Sequence, residues 1–261
     1  MDVLVCVKRV PMVGGRISLL PDAQQIDTRQ LGFTISPHEE CAVEEAVRLV
    51  ERYGGTVTVL ALGPPEAEEQ LRNAVAVGAG AAVLLVTDKP GWGPMATAEA
   101  IVEAVRRQEE GGTGTCYDLL LFGNEAADSG DYQVGVRVSH LLGLPCATGI
   151  KSLEVEAEGD RFAATAGREY RGVRERFRFS LPAVVTVKEG INLPRYPSLP
   201  GRMRAKKAAV TTGEPHWRDD GFHTAMLRVP AVERRQAEVL GRGPEAVPAL
   251  VLLLEELGVL S

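Results

Sequence analysis

Residues 36–63 read SPHEECAVEEAVRLVERYGGTVTVLALG. Ser36 suits a helix N-cap, Pro37 fits the first turn, and acids follow at Glu39 and Glu40. Ala42, Val43, Ala46, Val47 and Val50 recur at helical spacing and give one apolar face, which Gly54-Gly55 ends. Thr56–Leu62 is then a short apolar, β-branched run, the pattern of a buried strand. The same pairing recurs on either side. Val3–Val7 is a first strand, and Gly63-Pro64-Pro65 turns into a predicted helix over Glu66–Val77, stopped by Gly78. A strand over Ala82–Val86, a helix over Pro94–Arg107, a strand over Tyr117–Phe122 and a helix near Tyr132–Leu142 complete the series. Strands alternating with amphipathic helices specify an α/β fold with a doubly wound, mostly parallel sheet.

From Lys151 to Ser180 the period changes to two. Leu153–Ala157, Phe162–Ala166 and Glu175–Ser180 alternate in and out, with turn residues at Gly159-Asp160 and Gly172, and predict an added antiparallel meander. Ala183–Val187 returns to a buried strand. The next stretch, GINLPRYPSLPGRMRAKK (190–207), carries Gly190, Pro194, Pro197, Pro200 and Gly201 and is expected to lack a helix. It holds up Leu193, Tyr196, Leu199 and Met203 with no periodic face to bury them, beside Arg202, Arg204, Lys206 and Lys207. A proline-stiffened loop of this kind loses little entropy on docking a partner, although short charge runs are as often merely solvated. The expected division is residues 1–210 as the α/β domain and residues 211–261 as a weakly patterned C-terminal arm. That arm ends in a helix near Glu245–Leu257 and packs either on another chain or back on its own domain.

Composition narrows the function. The chain has 261 residues, 45% of them hydrophobic and 25% charged, enough for one sizeable core. A net charge of −6 argues against a nucleic-acid-binding body. Cys6, Cys41, Cys116 and Cys146 show no paired spacing, which suits a reducing cytoplasm and gives no metal motif. No apolar run is long enough to span a membrane.

The loop after the fourth predicted strand, GNEAADSGDYQVG (123–135), lies where open α/β sheets bind ligands. Gly123 and Gly130 permit close backbone approach, and the helix that follows offers free N–H groups to a phosphate. The loop has neither a Walker lysine nor a dinucleotide fingerprint, so on base rates a simple turn into a helix is the commoner explanation. Asp128 and Asp131 suit general bases, metal ligands or helix caps, and His38 sits at a helix start as a surface residue or a catalyst. No nucleophile, base and orienter occur together, which disfavours an enzyme acting alone.

Taken together, the stretches VLVCVKRV (3–10), SPHEECAVEEAVRL (36–49), LGPPEAEEQLRNAVAVGA (62–79), the 123–135 loop, GREYRGVRERFRFSLPAVVT (167–186) and 190–207 resemble the β subunit of electron transfer flavoprotein. The resemblance implies a Rossmann-like, adenine-nucleotide-binding fold. It also implies a heterodimer with an α subunit, on which the C-terminal arm packs and which holds most of a single FAD. It implies a structural AMP in the β subunit. The resemblance places the AMP contacts at Cys6, at Ser36, Pro37, His38 and Glu39, and at Leu62. They continue through the phosphate loop at Gly123, Asn124, Glu125, Ala126, Ala127, Asp128, Ser129, Gly130, Asp131, Tyr132, Gln133 and Val134. Asn124, Glu125, Ala127 and Gly130 depart from the family's usual loop residues, and Ser36-Pro37-His38 replaces its usual Asn-Pro-Phe.

The resemblance further makes Leu199 the anchor that enters a dehydrogenase pocket, with Arg195, Tyr196, Arg204 and Lys207 around it. It also implies that electrons pass from acyl-CoA and other flavin dehydrogenases, as in fatty acid β-oxidation, to a membrane quinone oxidoreductase. Two alternatives share the fold. One is an electron-bifurcating, NADH-oxidising homologue with a second FAD in the AMP site; the other is a stand-alone nucleotide sensor.

Overall fold

In the computed structural model, residues 1–12, 17–110, 116–221, 223–230 and 239–260 are described. Two compact units are present, Met1–Leu227 and Arg228–Ser261. The first unit is built on strand β1 (Val3–Val7), followed by a short antiparallel pair, β2 (Val10–Pro11) and β3 (Phe33–Thr34). Helix α1 (Pro37–Tyr53), β4 (Val57–Gly63), α2 (Glu68–Val77), β5 (Ala81–Val86), α3 (Pro94–Glu110), β6 (Leu119–Gly123), α4 (Val134–Leu142) and β7 (Cys146–Ile150) continue the alternation. Then come β8 (Ser152–Glu158), β9 (Arg161–Tyr170), β10 (Val173–Ser180), β11 (Ala183–Val187), α5 (Leu199–Lys207) and β12 (Thr211–Gly213).

Seven strands form one sheet in the order β12-β5-β4-β1-β6-β11-β7, every neighbouring pair parallel. Because side chains alternate along a strand, β1 feeds two cores at once. Val3, Val5 and Val7 pack with α1 and α2 on one face, and Leu4 and Cys6 pack with α3 and α4 on the other. All five residues of β1 are buried, which is why its sequence is continuously apolar rather than alternating.

The expected meander is present as a sheet of its own, β10-β9-β8, packed beside the parallel one. Its inner face supplies Leu153, Val155, Ala164, Ala166, Phe177 and Phe179 to the first core. On the outer face, Arg178 pairs with Glu156 and Glu158 across β9. Two strands of the seven-stranded sheet escaped the sequence reading, besides the short β2–β3 pair. Cys146–Ile150 is five residues with a glycine inside and pairs with β11, and Thr211–Gly213 pairs with β5 at the sheet's far edge, within the segment assigned to the arm.

One expectation fails in the proline-rich stretch: residues 199–207 are helical. Pro200 falls in the first turn, where its missing N–H has no intrahelical partner to lose. Ser198 caps the turn by accepting the Gly201 N–H at 3.1 Å. The helix is then fixed by packing. A Cβ on Gly201 would lie 2.2 Å from the Ala76 carbonyl, so only glycine allows α5 this close to α2. Each helix also caps the other. Arg72 of α2 donates to the Ala205 and Ala208 carbonyls at 2.6 and 3.0 Å, and Arg204 of α5 donates to the Val75 carbonyl at 3.3 Å.

The second unit contains α6 (Val247–Glu256), led in by a 3-10 turn at Gly243–Ala246. None of its residues is buried, and Val247, Leu250, Val251 and Leu252 are exposed. Among the described residues no helix is long and apolar enough to cross a membrane.

Candidate functional site

The chain runs outward from β1 through β4 and β5, then crosses back to β6 on the other side of β1. Connections therefore leave β1 and β6 in opposite directions, and a crevice opens at their carboxyl ends. A cavity of about 430 Å³ occupies it, within the usual range for small-molecule sites. Cys6 forms its floor, paired in register with Leu60 on one side and Phe122 on the other.

Of the residues expected at the site, Cys6, Glu39, Leu62, Gly123, Asn124, Glu125, Ala126, Ser129, Asp131, Tyr132, Gln133 and Val134 line this cavity. Ser36, Pro37, His38, Ala127, Asp128 and Gly130 are not part of that lining. Ser36 and Glu39 close a capping box: the Ser36 side chain accepts the Glu39 N–H at 3.2 Å, and Glu39 accepts the Ser36 N–H at 2.8 Å. Pro37 occupies the first turn. His38 Nδ1 accepts the Glu189 N–H at 3.3 Å, tying the start of α1 to the end of β11. A Cβ on Gly123 would fall 2.8 Å from Glu39 Cγ and 3.3 Å from both Ser36 Oγ and His38 Cβ, so the helix start sits directly on the end of β6.

The 123–135 loop is held in shape by its own contacts. Asn124 N–H donates to the Val187 carbonyl at 2.9 Å, and its Oδ1 accepts the Thr186 hydroxyl at 2.8 Å. Ala126 N–H reaches the Asp131 carbonyl at 3.0 Å, and Gly130, at φ +69°, donates back to Ala126 at 2.8 Å. Asp128 pairs with Lys8 at 2.8 Å, latching the loop to the chain leaving β1. Asp131 accepts the Ser129 hydroxyl, and Tyr132 donates to Glu125, which raises the phenol's pKa. Neither aspartate caps α4, whose start carries no side-chain cap beside the cavity-lining Val134 and Gly135.

Burial sets the electrostatics. It pushes the Glu39 carboxyl up to about 7 against the pull of the Ser36 and Lys8 backbone N–H groups. Burial, with the Glu39 charge, also raises the Cys6 thiol far above its ordinary range, so Cys6 is an inert wall rather than a nucleophile.

The sequence reading missed the other wall. Lys8, Arg9, Asp88, Lys89 and Trp92 line the cavity too. Arg9 stacks on the Phe33 ring at 3.3 Å, and its Nε is buried with no hydrogen-bond partner. The signal available was Gly91-Trp92-Gly93-Pro94, a glycine-rich turn between a strand and a helix.

The residues expected to dock a partner lie elsewhere, on and before α5. Leu199 is 74% and Tyr196 94% exposed, and Lys207 is exposed. Arg195 is not free: it bonds Glu44 at 2.9 Å and Glu51 at 2.6 Å, fixing the loop to α1. Arg204 is engaged on α2, as described above.

Residues 24–216 match the electron transfer flavoprotein domain. The chain is 37% identical to the electron transfer flavoprotein subunit beta of Bacillus subtilis over 206 residues, covering 77% of this chain and 75% of that one. It is 33% identical to the subunit of the same name from Homo sapiens over 261 residues, 98% and 97% of the two chains. The Bradyrhizobium diazoefficiens subunit is 35% identical over 211 residues, 80% of each. The chain belongs to the electron transfer flavoprotein family. Membership among its β subunits carries an electron-transport role for a flavoprotein part. Within this electron transfer flavoprotein chain the matched domain spans α1 through β12, and so includes the Glu39 capping box, the 123–135 loop and α5.

Proposed function

We propose that this chain is the β subunit of a heterodimeric electron carrier and holds an AMP in the cavity at the β1 and β6 ends. The carrying observation is the cavity itself. It places a glycine-hinged loop and the uncapped start of α4 opposite an apolar strand-end floor, and it leaves the Arg9 Nε unsatisfied beside it. Such a site suits a phosphate at the loop and an apolar base nearby. Residues 123–134, with Cys6, Leu62 and the Ser36–Glu39 turn, would hold the nucleotide. A single FAD, held mainly by the α subunit, would supply the redox chemistry when bound.

Two surfaces support the partner assignments. The bare apolar face of α6 in the second unit fits an arm that packs on the α subunit. The Leu193, Tyr196, Leu199 and Met203 cluster fits the docking of acyl-CoA and related dehydrogenases, with Leu199 as anchor and Lys207 free to meet acids. Delivery to a quinone oxidoreductase completes the role.

The test is to express the chain with its α partner, denature the purified complex and identify the released nucleotides. One FAD and one AMP per heterodimer is the expected result. Two flavins, or flavin reduction by NADH, would replace this reading with electron bifurcation. Absence of any adenine nucleotide would sink the AMP assignment.

A further inference from the structure

The cavity is long in one direction. It runs along the sheet edge from the end of β5, past β4 and β1, to the loop after β6. Three strand spacings make that about 14 Å, enough for a mononucleotide laid lengthwise. At the β5 and β4 end Leu62, Pro64, Trp92 and Ile101 line it beside Thr87, Asp88 and Lys89; at the β6 end the loop adds Asn124, Glu125, Ser129 and Asp131.

We propose that the Trp92 indole is the platform on which the nucleotide base stacks, with the phosphate at the 123–135 loop. This rests on the nucleotide reading above and adds a residue outside the set that carried it. Three aromatic rings line the cavity, and two are unsuited. Phe122 is 4% exposed and committed to the core, whereas Tyr132 is 57% exposed at the rim and held by Glu125. Trp92 is half-buried against the second core, with ring area left for a ligand.

The platform is also preorganised. Trp92 Nε1 donates to Thr87 Oγ1 at 3.1 Å, which fixes the ring. Asp220 accepts the Met95 and Ala96 N–H groups at 3.2 and 3.1 Å, locking the turn that follows. Lys89 Nζ lies 3.2 Å from the Trp217 ring centroid, closing the loop from outside. A ring held in place before binding loses little entropy when a base stacks on it.

The chain has two tryptophans, so Trp217→Phe leaves Trp92 as the sole indole. In the full chain freed of co-purified nucleotide, AMP should quench the fluorescence of that variant, and ribose 5-phosphate, which has no base, should not. By calorimetry Trp92→Ala should weaken AMP binding about tenfold or more and leave ribose 5-phosphate binding unchanged. Trp92→Phe should recover most of the loss. AMP binding to Trp92→Ala at wild-type affinity, or unchanged fluorescence at AMP saturation, would overturn the platform and leave the nucleotide site standing. Failure of the wild-type chain to bind AMP would remove the nucleotide reading, and the platform with it.

Discussion

Glu39 Oε1 accepts the backbone N–H of Lys8 at 2.8 Å while Oε2 accepts that of Ser36 at the same distance. One buried carboxyl thus joins the first turn of α1 to the chain leaving β1, at the cavity between the β1 and β6 ends.

That position makes stability depend on pH. The Glu39 carboxyl is raised from 4.5 to about 7 by burial. Between those values the unfolded chain releases the proton and the folded chain keeps it. The contribution is fully present below about 4.5, falls as pH rises, and is lost above about 7, a difference on the order of 3 kcal/mol. Burial also raises Glu40 and Glu45, so the Glu39 part is read by difference. Urea unfolding of wild type and Glu39→Gln across this range should show wild type losing ground to the variant as pH increases. A difference that stays constant with pH would disprove the assignment.

Arg195 is a structural tether between its loop and α1. Burial raises the Glu44 carboxyl, but hydrogen bonds from Arg195 and Arg48 outweigh this and hold it below its ordinary value. Arg195→Ala leaves the Glu44 side chain, 4% exposed, with Arg48 and the backbone N–H of residue 195. The expected cost is about 1–3 kcal/mol in denaturant melts, reduced from a fully buried pair because Arg195 is partly solvated. Proteolysis should also speed up within residues 193–198, where the loop loses its anchor.

Gly201→Ala tests the contact between α5 and α2. With a Cβ 2.2 Å from the Ala76 carbonyl, the helices must separate, and the two arginine caps separate with them. A loss of about 1–3 kcal/mol is expected. Stability at wild-type level would mean that α5 docks less closely than described.

Leu199→Ala should do the reverse. The side chain is largely exposed, so unfolding should change by less than about 0.5 kcal/mol. Electron transfer from a dehydrogenase should slow by about tenfold or more, the effect of losing one buried leucine in the complex. Flavin content should not change. An unaltered transfer rate would remove Leu199 as the anchor.

The alternating elements were legible because each carries its period in its own residues. Ala42, Val43, Ala46, Val47 and Val50 spell a helix face, and Ala183–Val187 spells a buried strand. β7 was not, since CATGI is short and becomes a strand only by pairing with β11. α5 was misread for a related reason. Its prolines forbid a helix interior but not a first turn, and what makes the segment helical is the Ser198 cap and the fit of Gly201 against Ala76. The loop half of the cavity was marked by Gly123 and Gly130, whereas Arg9, Lys89 and Trp92 belong to segments that look like ordinary turns until the sheet order brings them to the same edge.

The sequence alone determined the α/β alternation, the start of α1, the antiparallel meander and the family, because local periodicity, capping and motif spacing are written in neighbouring residues. Tertiary structure decided the rest: the order β12-β5-β4-β1-β6-β11-β7, the placing of Cys6 between Leu60 and Phe122, and the burial that holds Glu39 near neutrality. Those depend on which strands pair across long stretches of chain and on how much water each side chain loses, and neither quantity exists before the chain has folded.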